Sequence, residues 1–212
     1  MLLNKLQSLK LIQLLNETIK KPKTSLSYRN RFTLLTSVVL SAQCTDLNVN
    51  NVTKNIYSKY YTPKHFFNLG VTKIKKMIKS IGLFNTKAKN LYNLSKILIE
   101  KYKSKVPNNF EDLINLPGVG RKTANVVLNA AFNKPTIAVD THVFRVSNRT
   151  GLTKGKNPNQ VESQLYKILP KNYLKKAHHL ILLHGRYVCK SRNPLCTKCV
   201  INKICLYKYK NV

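Results

Sequence analysis

Hydrophobic residues recur along most of the chain at spacings of three and four, which is the period of an α-helix. Strict alternation of apolar and polar residues between turn signals, the pattern of a half-buried strand, does not occur. The pattern therefore predicts an all-α protein without a sheet. The predicted helical stretches are Leu2 to Ile19, Arg31 to Leu40, Val49 to Tyr60, Ala88 to Leu98, Val126 to Ala130, Phe144 to Ser147, Val161 to Ile168 and Leu174 to Leu183.

The composition supports a buried core and excludes a disordered chain, because hydrophobic residues make up 43% of the 212 residues. No apolar run approaches the roughly 18 to 20 residues that a bilayer span needs, so we expect no membrane segment. Asn4, Lys5 and Lys10 interrupt the apolar N-terminus, and no secretory signal is visible. We therefore expect a cytoplasmic protein.

The charge is strongly positive: 38 Lys and Arg face seven Asp and Glu, for a formal net charge of +31. A field of this size attracts phosphate polymers and anionic surfaces, and its sign favours a nucleic-acid partner. Only seven of the basic residues are Arg, and Asn is abundant as well. A compositional bias that adds solvated Lys to the surface is therefore an alternative explanation for part of the excess.

The strongest local motif is the string L-P-G-V-G-R-K-T-A at positions 116–124. Pro117 ends the preceding helix, which contains Phe110, and Gly118 and Gly120 allow a tight hairpin. The next helix then begins with backbone N–H groups that point outward, a favourable site for a DNA phosphate. The string predicts a helix-hairpin-helix that binds phosphate, and an ordinary connection that binds nothing is the alternative.

Lys122 lies in the first turn of the helix after the hairpin. The positive end of the helix dipole and the neighbouring Arg121 both disfavour an ammonium group there. An amine at this position is more readily neutral, as a nucleophile must be. Position alone leaves a second interpretation, in which Lys122 is one more phosphate-contacting lysine.

Asp140 lies in the string A-V-D-T-H-V, directly before a helical stretch. An Asp there is a good N-cap, and an Asp fixed by capping is also a pre-positioned anion. The two roles are compatible. His142 either contacts a phosphate or packs against its neighbours.

Four of the five cysteines lie close together, with the spacing Cys189-x6-Cys196-x2-Cys199-x5-Cys205. In a reducing cytoplasm, clustered cysteines indicate metal binding rather than disulfides. Structural zinc usually shows two Cys-x2-Cys pairs, and this segment has one. The spacing therefore favours a cysteine-ligated [4Fe-4S] cluster over zinc. Cys44 is far away and receives no predicted chemistry.

Together, the hairpin string, the V-D-T-H-V string and the cysteine spacing resemble the endonuclease III family, helix-hairpin-helix DNA glycosylases and lyases with an iron–sulfur cluster. The resemblance runs from about Tyr28 to Cys205. It implies an all-α protein with two domains and DNA in the groove between them. A six-helix domain would span residues 24–134, with the helix-hairpin-helix at about 110–130, and residues 1–23 and 135–212 would form the cluster domain.

The resemblance also implies roles for individual residues. Lys122 falls on the catalytic lysine of the family and Asp140 on its catalytic aspartate. Gln43, in the string L-S-A-Q-C-T-D, falls where the family fills the gap left by a flipped nucleotide, and Leu83 where it inserts an apolar wedge. The predicted DNA contacts are Gln43, Leu83, Gly118, Gly120, Arg121 and His142. The predicted cluster ligands are Cys189, Cys196, Cys199 and Cys205.

The implied reaction is base-excision repair by a bifunctional DNA glycosylase and AP lyase acting on oxidised pyrimidines. The expected partner is double-stranded DNA with damaged pyrimidines or abasic sites, bound by a monomer. The adenine-specific branch of the superfamily is one alternative, although it typically lacks the lysine and extends further beyond the cluster. A non-catalytic helix-hairpin-helix protein with cysteine-bound zinc is the other.

Overall fold

A computed structural model of the chain describes residues 1–20, 22 and 24–210. The described residues contain helices and turns but no β-strand, which confirms the predicted all-α fold. The helices are α1 (Lys5–Thr18), α2 (Arg31–Leu40), α3 (Asp46–Lys59), α4 (Pro63–Met77), α5 (Phe84–Tyr102), α6 (Phe110–Ile114), α7 (Arg121–Phe132), α8 (Thr141–Thr150), α9 (Pro158–Ile168) and α10 (Lys171–Tyr187). A 3₁₀ turn follows at Cys196–Lys198.

Helix α4 was missing from the predicted elements, and its geometry explains why. Gly70 has φ +68° and ψ 165°, so the helix is interrupted and its apolar stripe is not continuous. Its start is nevertheless a standard one, because the Thr62 side chain accepts a hydrogen bond from the His65 N–H and Pro63 occupies the first helical position.

Asparagine begins several of these helices. In each case the Asn side chain accepts a hydrogen bond from the backbone N–H three residues later, which satisfies one of the open donors of the first turn. The capping residues of this kind are Asn4, Asn30, Asn109 and Asn157. Part of the Asn content of the chain therefore has a structural use.

The chain divides into two compact units, residues 25–132 and residues 1–24 with 133–212. Residues 25–132 hold α2 to α7 around a core in which α2 is almost wholly buried and α4 packs along α5. The largest fully buried side chains of this unit include Leu34, Leu35, Leu40, Ile74, Ile78, Ile81, Leu91, Leu94 and Leu98.

The other unit joins α1 to α8, α9 and α10. Leu11, Ile12 and Leu15 of α1 are fully buried among apolar residues of α8 to α10. Helices α8 and α10 approach closely at Gly185, where an added Cβ would lie 2.9 Å from Val146 Cγ2 and 3.0 Å from His142 Cβ. Of the helices that the structure describes, none is long and apolar enough to cross a membrane.

Candidate functional site

The hairpin between α6 and α7 forms as its sequence predicts. The Val119 N–H donates to the Leu116 carbonyl at 3.0 Å, and Gly118 has φ +79°. A Cβ on Gly118 would lie 2.9 Å from Asn90 Nδ2 and 3.2 Å from Val39 Cγ1. Gly118 is therefore required by both its backbone conformation and its close packing.

The second glycine of the hairpin faces open space. No atom lies within 4 Å of the position that a Cβ on Gly120 would occupy, and its φ is not in the left-handed region. Helix α7 begins at the next residue and presents its positive end beside this opening. The geometry leaves room for an anion to approach the backbone directly.

Lys122 is exposed in the first turn of α7. The guanidinium of the preceding Arg121 stacks over the Phe110 ring at 5.0 Å and so links α7 to α6. The amine of Lys122 is consequently presented on a fixed helix start rather than on a loose loop.

Gln43 and Leu83 lie on two neighbouring turns of the same unit, and both have a left-handed backbone, with φ +53° and +61°. The Gln43 carbonyl oxygen lies 3.6 Å from the position of a Cβ on Gly82, so the two turns touch. Leu83 is 56% exposed, which excludes a core position. Exposed non-glycine residues in this conformation store strain, a feature that concentrates at functional sites.

Asp140 caps α8, as predicted. Its Oδ1 accepts a hydrogen bond from the Val143 N–H at 2.8 Å, and the side chain is half-buried. The segment before it is fixed from α10, because His178 Nδ1 lies 2.9 Å from the Ala138 carbonyl oxygen. The carboxylate is therefore held at a defined helix start.

Two arginines further along α8 hold the cysteine segment. Arg145 donates to the carbonyls of Gly185 at 2.7 Å and Cys189 at 3.1 Å, and it contacts His142 Nδ1 at 3.2 Å. Arg149 donates to the carbonyls of Lys190 at 2.6 Å and Ser191 at 2.8 Å. The guanidinium of Arg149 also lies 3.9 Å from Cys189 Sγ.

The four clustered cysteines line one small cavity of about 20 Å³, together with apolar side chains such as Leu195 and Ile201. Among the described residues, no three His, Cys, Asp or Glu side chains form a group that could hold a single metal ion. A tetrahedral zinc site needs four ligands within about 2.3 Å of one ion. In a [4Fe-4S] cluster each of four thiolates binds a different iron, and this cavity is lined by four thiols.

The electrostatics of the cavity disfavour the thiolate form at two of the four cysteines. Burial, and then repulsion from the neighbouring cysteines, raises the pKa of Cys199 and of Cys205 above the ordinary value. His184, whose Nε2 lies 3.6 Å from Cys199 Sγ, has its pKa lowered to about 4 by burial. A bound iron cluster would add positive charge to that of Arg149 and Lys210 beside these sulfurs.

The structure thus brings the predicted residues together in groups. Gly118, Gly120, Arg121 and Lys122 share the hairpin, Gln43 and Leu83 share two touching turns, and the four cysteines share a cavity. Lys122 belongs to the unit of residues 25–132 and Asp140 to the other unit. Sequence reasoning missed Arg145 and Arg149, although two of only seven arginines spaced four apart in a lysine-rich chain were an available signal.

Comparison with known proteins identifies the family. Residues 36–171 match the model of the HhH-GPD superfamily base excision DNA repair proteins. The chain is 54% identical to an endonuclease III of Rickettsia conorii over 200 residues, which cover 94% of this chain and 95% of that protein. It is 48% identical to an endonuclease III of Escherichia coli K12, with 98% of this chain and 99% of the relative covered.

The fold agrees with these sequences. A solved structure of an endonuclease III trapped as a covalent intermediate with DNA superposes with a TM-score of 0.91 at 43% identity, and the match covers 97% of both chains. The predicted class, a base-excision DNA glycosylase and lyase, is confirmed at the level of the family. The chain belongs to the HhH-GPD superfamily of base excision DNA repair proteins and, within it, to the endonuclease III family.

Proposed function

We propose that this protein excises oxidised pyrimidines from double-stranded DNA and then cleaves the strand 3′ to the abasic site, acting as a monomer in the bacterial cytoplasm. The observation that carries the proposal is the position of Lys122. Its amine is exposed in the first turn of α7, directly after the open Gly120 backbone. A relative has been trapped covalently on DNA, as a protein with an amine nucleophile would be.

The proposed chemistry begins with the Lys122 amine. Its nitrogen attacks C1′ of the damaged nucleotide, the N–C1′ bond forms and the glycosidic bond breaks, and the base leaves with a proton. The nitrogen then loses a proton, the C1′–O4′ bond breaks and O4′ takes up a proton as the sugar ring opens, which gives an iminium ion between Lys122 and C1′. The iminium acidifies the C2′ proton, and its removal expels the 3′ phosphate oxygen by β-elimination. Water later releases the lysine.

Asp140 supplies the negative charge that this reaction needs. Its carboxylate stabilises the positive charge that develops at the sugar as the base leaves, and it accepts the proton of the attacking amine. Because the cap to Val143 fixes the carboxylate beforehand, little reorganisation is needed at the moment of reaction.

Binding of DNA relies on the hairpin and on the two strained turns. The α7 N-terminus with Gly118, Gly120 and Arg121 receives one backbone phosphate. Gln43 fills the gap left by the flipped nucleotide, and Leu83 wedges between bases, for which its exposed position is suited. We place His142 against a phosphate near Arg145, with which it is already in contact.

The four cysteines Cys189, Cys196, Cys199 and Cys205 hold a [4Fe-4S] cluster in this proposal. The support is the shared cavity, together with the burial that raises the pKa of Cys199 and of Cys205 and so favours a bound cationic group beside their sulfurs. When bound, the cluster supplies four iron–thiolate bonds that fix the C-terminal segment. Lys190, Arg192, Lys198 and Lys203 lie between the ligands and carry positive charge toward DNA.

The central test is borohydride trapping on a duplex with one thymine glycol. The wild-type protein should form a covalent adduct, because borohydride reduces the iminium to a stable amine. Lys122→Gln removes the nucleophile, so trapping and base release should both fall by about 10³-fold or more. Arg121→Gln, a change of the same kind at the adjacent residue, should weaken duplex binding and keep the adduct.

Three outcomes would contradict the proposal. Adduct formation by Lys122→Gln at the wild-type yield would place the nucleophile elsewhere. Base release from an A·G mismatch without trapping would indicate the adenine-specific branch. Binding without any strand cleavage at an abasic site, combined with stoichiometric zinc, would indicate a non-catalytic DNA-binding protein.

A further inference from the structure

A buried lysine holds the turn that carries Gln43. Of the lysines in the described part of the chain, Lys87 of α5 is the one that is buried, with 4% of its surface exposed. Its Nζ donates hydrogen bonds to the Leu40 carbonyl at 2.9 Å and to the Ala42 carbonyl at 2.6 Å. Burial of an amine is costly, so one buried lysine among the 31 lysines of the chain needs a structural reason.

The two carbonyls explain what the amine does. Leu40 is the last residue of α2, so its carbonyl belongs to the final turn, where no helical donor is available. A cation at a helix C-terminus is also stabilised by the helix dipole. Lys87 therefore caps α2 from another helix and fixes the path of the chain from Leu40 to Ala42, directly before Gln43.

The backbone of the same residue holds the second turn. The Lys87 N–H donates to the Leu83 carbonyl at 3.0 Å in the first turn of α5. Leu83 is a left-handed N-cap residue without a side-chain cap. The backbone of Lys87 is therefore bonded to Leu83, one helical turn earlier. Its side chain contacts the turn that carries Gln43.

Asn48 ties the outer edge of the same two turns. Its Nδ2 donates to the Ser80 carbonyl at 3.2 Å and contacts Cys44 Sγ at 3.3 Å. Gln43 and Leu83, both exposed and both left-handed, therefore stand on turns that are tied on the inside by Lys87 and on the outside by Asn48. Left-handed non-glycine residues persist only where the surroundings impose them.

We propose that Lys87 is a positioning residue that holds Gln43 and Leu83 in register for simultaneous entry into the DNA gap. The inference rests on the proposed function for the roles of those two side chains. Lys87 itself does not touch DNA, and burial lowers its pKa from the ordinary value, as expected of an amine placed for hydrogen bonding rather than for phosphate contact.

The test compares Lys87→Met with Lys89→Met. Both changes replace a lysine of α5 by the same side chain and remove one charge, but Lys89 is exposed. Lys87→Met should slow single-turnover release of thymine glycol by about tenfold or more, because a misplaced positioning group is costly. Affinity for undamaged duplex should change by less than about twofold relative to Lys89→Met, because both lose one cation.

A double-mutant cycle separates positioning from general stability. In a Gln43→Ala, Leu83→Ala background the two positioned side chains are already absent. Lys87→Met should then slow base release by less than about twofold further, because interacting residues are not additive. An undiminished effect in that background would overturn the inference, since Lys87 would then act through something other than these side chains.

The turns themselves provide a readout that needs no activity. In Lys87→Met, amide hydrogen exchange of residues 41–44 and 80–83 should accelerate by about tenfold relative to Lys89→Met, with the rest of α5 unchanged. Alkylation of Cys44, read by peptide mass spectrometry, should accelerate in parallel. If Lys87→Met is too unstable to purify, Asn48→Ala should produce the same pattern at smaller amplitude, because it removes a single hydrogen bond to the Ser80 carbonyl.

These measurements keep the two proposals apart. If the wild-type protein releases no base and traps no DNA, the proposed function fails, while the exchange data still decide whether Lys87 ties the two turns. If the wild-type protein is active and Lys87→Met matches Lys89→Met in base release, the inference about Lys87 is wrong and the proposed function stands.

Discussion

The hairpin at residues 116–124 and the cysteine segment at residues 189–205 obtain their shapes from different sources. The hairpin is closed by its own backbone, through the Val119 to Leu116 hydrogen bond and the left-handed Gly118. The cysteine segment has a single short 3₁₀ turn. Its first residues are held by Arg145 and Arg149, which lie about forty positions earlier in the chain.

Because of this difference, the two sites should respond differently to amino-acid substitutions. A motif closed by its own backbone should respond most strongly to changes in its own residues. A segment held by distant side chains and, in our proposal, by a cluster fails when any of those partners is lost.

Loss of one cluster ligand should have the largest effect. In our proposal Cys199→Ala removes one iron–thiolate bond, so the variant should lack the yellow-brown colour and nearly all of the iron, about four atoms per chain, that we expect of the wild-type protein. Cys44→Ala, at the cysteine outside this cavity, should leave both unchanged. Iron and zinc are measured by elemental analysis of anaerobically prepared protein. Full iron in Cys199→Ala would show that this residue is not a ligand.

Asp140→Asn should give the next largest effect. It changes the residue at the start of α8 and leaves in place Arg145 and Arg149, which hold the cysteine segment from further along the helix. Asn is as good an N-cap as Asp, so the helix and its arginines should stay in place. Only the negative charge is lost, and base release should slow by about 10²-fold or more. Strand cleavage at a pre-formed abasic site should be less affected, because no base has to leave.

The iron content of Asp140→Asn is the control, and it should equal that of the wild-type protein. A loss of iron together with activity would mean that Asp140 acts by supporting the fold of this unit. An unchanged rate of base release would remove Asp140 from the proposed mechanism.

Alanine substitutions at the two hairpin glycines should have different effects, one on the stability of the protein and the other on its affinity for DNA. Gly118→Ala forces a Cβ into a left-handed residue against Asn90 and Val39, and it should lower the free energy of unfolding by about 1 to 3 kcal/mol. Gly120→Ala meets no neighbouring atom and should change stability by less than about 0.5 kcal/mol. It should instead weaken duplex binding by about 1 kcal/mol, roughly fivefold, because a methyl group stands between backbone and phosphate.

Thermal unfolding and a duplex titration at fixed salt measure the two effects of the glycine substitutions. If Gly120→Ala binds duplex as the wild-type protein does, the hairpin is a structural connection and the phosphate lies elsewhere. If Gly118→Ala is neutral in stability, the hairpin is more tolerant than its packing indicates.

Arg149→Lys should give the smallest effect. Lysine cannot reproduce both hydrogen bonds to the Lys190 and Ser191 carbonyls, so about 1 kcal/mol of support for the cysteine segment should be lost. Iron release to a chelator should become about fivefold faster. Arg192→Lys, an exposed change within the segment, serves as the matched control and should release iron at the wild-type rate. Equal rates in both variants would show that Arg149 does not hold the segment.

Much of this molecule follows from short stretches of its sequence. The all-α fold, the hairpin, the Asp140 cap and the family were all available from residue types at fixed spacings. Their physical basis is local, because a cap, a glycine turn or an apolar stripe depends on residues within about four positions of one another. Helix α4 was not predicted for the same reason, since Gly70 interrupts the local pattern.

Other features were decided by tertiary structure alone. Nothing near Lys87 in the sequence distinguishes it from the other lysines, and it is buried because α5 passes the open end of α2. Leu83 could equally have been a core residue, and its left-handed turn places it in solvent. The cysteine spacing indicates a metal group, but the arginines that hold the segment are specified by the packing of α8. Contacts between distant segments depend on which faces meet, and no local pattern encodes that.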